Sequence, residues 1–375
     1  MIYYDNASTT YPKFSSVYEE TMKLYREVGI NFSRNNSDKS RNARVIKENL
    51  IDNIKKIFST KNEVILNSSS TFSCNEIIFG LNYNNIKTIY ISPFEHNSVY
   101  RAIKKISKEK NIELKILKFK KFELDIEDMK LQFMSQKPDL IILNHASNVF
   151  GNILPVRDIF EAGKIYNAIT VLDASQTGGV LDFSEISGLA DFIVFAGHKN
   201  LYGPSGIGGY IYNKKISLNP LLYGGTGVKS EDEEMPEELP ERFEAGSPNI
   251  LGMIGLKIAT DELIEIGIEN IRSKKENNFK NLYDLLEEYS YDIKIYSEKE
   301  NNIGVLSITA FDYSPQELEE IMNDNEIITR RGMHCAPLAH HHIGTQDGGT
   351  LRFSVSYFNN DENLEVLRET LDSLF

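Results

Sequence analysis

The sequence predicts an α/β protein: a mostly parallel sheet covered by helices on both faces, followed by a smaller α+β unit. Three observations carry this. Short β-rich apolar runs alternate with amphipathic stretches through the first two thirds of the chain. The pattern changes after about residue 255. The residues best suited to chemistry follow the ends of the strand candidates, where ligands bind on such sheets.

The strand candidates are Val64–Leu66, Thr88–Ser92, Leu114–Leu117, Leu140–Asn144, Thr170–Asp173, Phe192–Phe195 and Gly209–Tyr212. Ile46, Leu50, Ile54 and Ile57 recur at helical spacing before the first of them. Strands alternating with helices require crossover connections and so predict parallel pairing. Beyond residue 255 come two helical stretches, strands near Ile303–Ile308 and Thr350–Val355, and a last helix from Asn363. The expected division is a large domain over 15–254 and a small one over 255–375, with residues 1–14 packing near the active site.

At 375 residues the chain can bury a large core. Its 54 acidic residues outnumber 41 basic ones, a formal charge of −13, which argues against nucleic acid or an anionic membrane as main partner. The acidic run from Glu231 to Glu238 reads as a solvated loop. No apolar stretch approaches the ~20 residues that span a bilayer, and the N-terminus lacks the basic start and apolar run of a signal peptide. Cys74 and Cys335 are too few for a disulfide framework. A cytoplasmic location is expected.

Asp173 closes one strand candidate, and another runs into Ala196-Gly197-His198-Lys199. A carboxylate at one strand end and a lysine beyond another suit pyridoxal phosphate. That cofactor needs an amine for its aldehyde and an acid to keep its ring nitrogen protonated. Gly203, Gly206, Gly208 and Gly209 suggest a dinucleotide fingerprint, but a strand follows them where that motif opens a helix. Ser68-Ser69-Ser70-Thr71 leads into a helical run, the arrangement of a phosphate site. His96 and Asn148 also follow strands.

Arg330-Arg331-Gly332-Met333-His334-Cys335 places a thiol among basic side chains, which favour the thiolate. Cys74, within a helical run, reads as a buried inert thiol. Zinc is a rival for His334, Cys335, His340, His341, His342 and Asp347. No C-x-x-C or H-E-x-x-H spacing supports it, and no metal is expected.

Taken in order, these segments resemble the class V aminotransferase superfamily, specifically its cysteine desulfurase and selenocysteine lyase family. The resemblance runs from Tyr4-Asp5-Asn6-Ala7-Ser8 through Glu95-His96-Asn97, His145-Ala146-Ser147-Asn148, Asp173-Ala174-Ser175-Gln176 and Gly197-His198-Lys199. It continues through Gly224-Gly225-Thr226-Gly227, Arg242 to Asn249 and Arg330 to Cys335, and ends with Leu351-Arg352-Phe353-Ser354.

The resemblance implies the aspartate-aminotransferase-like fold, a doubly wound and mainly parallel sheet with a smaller C-terminal α+β domain. It also implies pyridoxal 5′-phosphate as cofactor and a homodimer with active sites at the interface. Lys199 matches the lysine that carries the cofactor, Asp173 the ring-nitrogen partner and His96 the stacked histidine. Gln176 matches the partner of the ring hydroxyl. Asn148 lies near cofactor and substrate; Ser70, Thr71 and His198 hold phosphate, and Thr226 reaches the phosphate of the neighbouring subunit. Arg352 clamps the substrate carboxylate with Arg330 nearby, and Cys335 takes the sulfur as a persulfide.

The implied activity converts L-cysteine to L-alanine and passes sulfur to an acceptor protein, as iron–sulfur cluster assembly requires. The short Arg330–Cys335 segment resembles the branch with a fixed nucleophile loop. Selenocysteine lyase is the nearest alternative. A class V aminotransferase or lyase would leave Cys335 without a role, and a non-enzymatic binding protein would leave Lys199 idle. Four positions depart from the common pattern: Phe32 for proline, Ser69 for glycine, Ala196 for serine or threonine, and Arg331 for threonine.

Overall fold

Seven of the apolar runs form one sheet. The computed structural model describes residues 1–30, 37–228 and 231–375, so Phe32 lies outside the described residues. The strands are β1 (Glu63–Asn67), β2 (Thr88–Ile91), β3 (Glu113–Ile116), β4 (Leu140–Asn144), β5 (Ile169–Asp173), β6 (Phe192–Ala196) and β7 (Gly208–Tyr212). Their spatial order is β1-β7-β6-β5-β4-β2-β3. β7 alone runs opposite to the other six strands.

The helices of this part are α1 (Ser15–Val28), α2 (Asp38–Ile57), α3 (Ser70–Gly80), α4 (Asn97–Lys110), α5 (Ile126–Ser135), α6 (Val156–Lys164) and α7 (Ile250–Ile266). Successive strand residues feed two cores, because side chains alternate across a sheet. Leu140, Ile142, Phe192 and Val194 join Ile77 of α3 and Ile103 of α4. Ile141, Leu143, Ile193 and Phe195 join Ile54 of α2, Phe160 of α6 and Ile254 of α7. Strands buried on both faces have no solvent side, which is why they read as continuous apolar runs.

The two glycines that open β7 serve packing. A Cβ on Gly209 would stand 2.2 Å from the Ile65 carbonyl oxygen, and one on Gly208 would stand 2.9 Å from that of Phe195. Glycine lets β7 close between β1 and β6, and no helix follows it.

A second, antiparallel sheet holds β8 (Ile293–Ile295), β9 (Val305–Ala310), β10 (Arg330–Gly332) and β11 (Thr350–Ser354) in the order β8-β9-β11-β10. It packs with α8 (Ile268–Glu287), α9 (Pro315–Asp324) and α11 (Asp361–Leu374) around Leu306, Phe353, Leu282, Met322 and Leu367. A short helix, α10 (Pro337–Ile343), follows the loop that carries Cys335. Position 255 falls inside α7, which packs on α1 and α2. We propose that the division between the two parts lies at Gly267, between α7 and α8, where φ is +89°.

The N-terminal residues lie beside the second sheet, in a two-stranded pairing of their own. Ile2 and Tyr3 pair in parallel with Ile327 and Ile328. Ser354 N donates to the Tyr4 carbonyl at 2.6 Å, and Ala7 N donates to Ser354 Oγ at 2.8 Å. This pairing carries residues 5–8 to the ends of the central strands. Among the described residues no helix is long and apolar enough to cross a membrane.

Candidate active site

A small polar cavity opens at the carboxyl ends of the central strands, lined by Ser70, His96, Ser98, Asn144, Ala146, Asn148, Asp173, Ser175, Gln176 and Lys199. Asp173 is the last residue of β5 and is buried; its Oδ1 accepts from Ser175 N at 3.0 Å. Lys199 follows β6 after a three-residue step, Gly197-His198-Lys199. Burial pushes its pKa down and the Asp173 carboxylate opposes the shift. A lowered pKa leaves more of the lysine as free amine, the form that combines with a carbonyl or takes a proton.

His96 caps α4. Its Nδ1 accepts from Ser98 N at 3.1 Å and lies 2.9 Å from Ser98 Oγ. Burial and the nearby Lys199 lower its pKa to about 4, so the ring is neutral near pH 7. Because the backbone N–H already occupies Nδ1, the proton of the neutral ring sits on Nε2.

Gln176 Nε2 donates to the Ala7 carbonyl at 2.9 Å, tying the N-terminal turn to the cavity floor. Glu95 lies beneath, fully buried, with its Oε1 accepting from Ser92 Oγ at 2.6 Å and Asn144 N at 3.0 Å. Burial outweighs these bonds and pushes its pKa up to about 8. Sequence reasoning assigned Glu95 no role, since nothing local marks a loop glutamate as buried.

The loop carrying Cys335 is held at several points. His334 and Cys335 both have left-handed backbones, with φ of +45° and +58°, conformations that cost roughly 1–2 kcal/mol each in residues with a Cβ. Asn148 Nδ2 donates to the His334 carbonyl at 2.7 Å and Asn97 N to that of Cys335 at 2.7 Å. Cys335 is partly exposed, whereas Cys74 is buried.

Here the structure corrects one expectation. Of the basic residues in the segment, only Arg330 addresses the thiol, with Nη2 3.7 Å from Sγ. Arg331 is turned away to Glu319, pairing Nε with Oε2 at 3.1 Å. His334 is buried with Nε2 3.1 Å from the Thr350 carbonyl oxygen, and burial with Arg352 nearby holds its pKa well below the usual range. It is neutral and adds no charge. The segment also begins as a strand, β10, so only its last residues form the loop.

Arg352, on β11, is fully buried. Its Nη1 donates to the Asn148 carbonyl and its Nη2 to Ser8 Oγ, each at 2.9 Å, and Nη2 also pairs with Asp5 Oδ1. Both Nη2 protons are therefore engaged, and Nε has no partner. A substrate carboxylate seeking two parallel bonds from this fork competes with Asp5 or Ser8.

Other residues singled out in the sequence lie further off. Ser69, not Ser70, caps α3, accepting from Phe72 N at 3.1 Å. Thr71 is exposed at the start of α3. The His198 carbonyl accepts from Thr10 N at 3.0 Å, while its Nδ1 has no partner. Thr226 does not reach the Lys199 cavity; it lines a separate surface groove with Asn67, Ser68 and Phe72. His340 bonds Thr345 Oγ1 at 2.8 Å and His342 lies 2.7 Å from the Lys121 carbonyl. Among the described residues no three His, Cys, Asp or Glu side chains gather as metal ligands.

The cavity suits a polar aromatic cofactor. Of its lining atoms, Ser175 Oγ and Asn148 Oδ1 are buried without partners, a cost that a bound group relieves. The Lys199 side chain forms no hydrogen bond or ion pair among the described residues. This fold and site define a protein of the pyridoxal-phosphate-dependent, aspartate-aminotransferase-like class. The chain belongs to the class-V aminotransferase family, which matches residues 2–367 and uses pyridoxal 5′-phosphate.

Particular relatives narrow the comparison. A probable cysteine desulfurase of Methanothermobacter thermautotrophicus is 27% identical over 100% of this chain and 94% of its own. One from Pyrococcus abyssi is 30% identical over 83% of this chain and 79% of its own. The apo structure of a cysteine desulfurase from Thermococcus onnurineus NA1 superposes with a TM-score of 0.92 at 27% identity, covering 100% of this chain and 94% of that one.

Proposed function

We propose that this chain is a cysteine desulfurase that converts L-cysteine to L-alanine and carries the sulfur on Cys335. The observation that supports it is the placing of a partly exposed thiol on a strained, pinned loop beside Arg330, close enough for its charge to act on Lys199.

When bound, pyridoxal phosphate supplies an aldehyde for the substrate amine and an electron sink that makes the substrate Cα–H acidic. Lys199 would carry it, Asp173 would keep its ring nitrogen protonated, and His96 and Gln176 would hold the ring. Ser70, Thr71 and His198 would hold its phosphate. Lys199, held toward the amine form by burial, moves the Cα proton. Arg352 and Arg330 hold the substrate carboxylate, with Asn148 beside them. The Cys335 thiolate attacks the substrate sulfur: the substrate C–S bond breaks, an S–S bond forms, and the protons released end on alanine. One cysteine and one thiol give one alanine and one persulfide.

Thr226 and its groove support a homodimer, in which Thr226 serves the neighbouring subunit's phosphate. The persulfide passes to a separate sulfur-acceptor protein. Incubation with L-cysteine, measuring alanine and sulfide, tests the activity; light scattering tests the dimer. Absence of alanine from the reconstituted protein rejects the desulfurase reading, and a fully active monomer rejects the shared site.

A further inference from the structure

The two arginines near Cys335 meet at one hydroxyl. Ser8 Oγ lies 2.9 Å from Asp5 Oδ1, 2.8 Å from Arg330 Nη1 and 2.9 Å from Arg352 Nη2. A serine hydroxyl has one proton to give and two lone pairs to receive with. All three are used: it donates to Asp5 and accepts from both arginines. Arg330 then extends its other nitrogen to within 3.7 Å of Cys335 Sγ. Among the described residues Asp5 is the one carboxylate bonded to either arginine, so two guanidinium groups share one negative charge.

We infer that Ser8 is a positioning residue that fixes the two guanidinium groups relative to each other, setting the spacing between the substrate's carboxylate and its sulfur. This rests on the desulfurase reading and deepens it. The surplus positive charge suits a carboxylate ligand. A free arginine fork would turn about its side-chain torsions, and the hydroxyl removes that freedom at two forks together. Asp5 orients Ser8 by taking its proton, and the backbone of Ser8 is fixed in turn by Ser8 N donating to the Asp5 carbonyl at 3.1 Å. Residues 5–8 thus join carboxylate recognition on β11 to the thiol loop after β10.

The test alkylates the protein as isolated with iodoacetate and, separately, with iodoacetamide, following the Cys335 peptide by mass spectrometry. In each reaction a C–S bond forms and iodide leaves, so the reagents differ chiefly in the carboxylate. The rate ratio of iodoacetate to iodoacetamide is compared with that of a free cysteine peptide. The wild-type protein should show the higher ratio. Ser8→Ala should lower the ratio by about tenfold, the equivalent of one charge-assisted hydrogen bond, while Ser8→Thr, which keeps the hydroxyl, should retain it. An unchanged ratio in Ser8→Ala overturns the proposal, as does a parallel acceleration by both reagents, which signals a loop merely opened. Should Ser8→Ala fail to fold, a wild-type ratio equal to the peptide's still overturns it. Failure to form alanine from cysteine is a separate measurement and does not move this ratio.

Discussion

Asp5 and Arg352 lie 347 positions apart in the chain and form an ion pair in which the arginine is fully buried. The pair exists because the first residues run beside β11, with Asp5 bridging to Ser354. A buried guanidinium is tolerated only when its donors are matched. Asp5, Ser8 and the Asn148 carbonyl do most of that matching here. The site is therefore assembled from both ends of the chain and from the loop after β4.

Arg352→Ala should lower unfolding free energy by about 3 kcal/mol, the low end of the range for breaking a buried pair, since Asp5 keeps some solvent contact. Arg352→Lys keeps the charge but loses the fork. It should weaken L-cysteine binding by about 1.5–3 kcal/mol. Denaturant titration reads the first and substrate titration the second; an unchanged cysteine titration in Arg352→Lys would remove Arg352 from carboxylate binding.

Reduction of the reconstituted protein with borohydride should fix the cofactor on the peptide containing Lys199. The reason is that Lys199 lines the cavity with a side-chain amine that has no hydrogen-bond partner among the described residues, its amine form favoured by burial. Label recovered on Lys13 or Lys275 instead would displace Lys199 from its proposed role.

Cys335→Ser should bind cofactor and still exchange the substrate Cα proton, because Lys199 and Asp173 are untouched. Alanine and sulfide formation should collapse, since a serine hydroxyl cannot hold sulfur as a persulfide. Wild-type protein given cysteine should gain one reducible sulfur on the Cys335 peptide. Undiminished alanine production by the serine variant would take Cys335 out of the reaction.

Lys275 yields a prediction about stability and pH. Its Nζ is buried and donates to Asn200 Oδ1 at 2.8 Å, while Asn200 Nδ2 reaches the Gln176 carbonyl at 2.6 Å. Burial lowers its pKa from 10.5 to about 7. Between those values the unfolded chain binds a proton that the native protein does not. Lys275 therefore adds a contribution that raises stability as pH rises through this window, by up to about 1.4 kcal/mol per pH unit. The difference in unfolding free energy between wild type and Lys275→Met should move in wild type's favour from pH 7 to pH 10. A difference flat across that range would contradict the assigned protonation.

Much of the site was legible as order along the chain. Asp173 ends, and Lys199, His96 and Asn148 each follow, a strand whose apolar run is plain in the sequence, and all four line one cavity. Arg331 and His334 were misread as company for the Cys335 thiol. Adjacent residues on a strand point to opposite faces, so Arg331 turns to Glu319 while Arg330 faces the thiol. Burial, invisible in a basic-looking motif, leaves His334 neutral.

The sequence by itself determined the seven central strands, the family, and which side chains follow the strand ends. These are local properties: apolar runs, turn residues and the type of residue that ends each run. The tertiary structure decided what depends on contact between distant segments: the Ser8 junction of Arg330 and Arg352, the burial of Glu95 and Lys275, and the groove that holds Thr226. Hydrogen bonds and desolvation act over a few ångströms, and which groups come that close is settled only when the chain ends are folded onto the sheets.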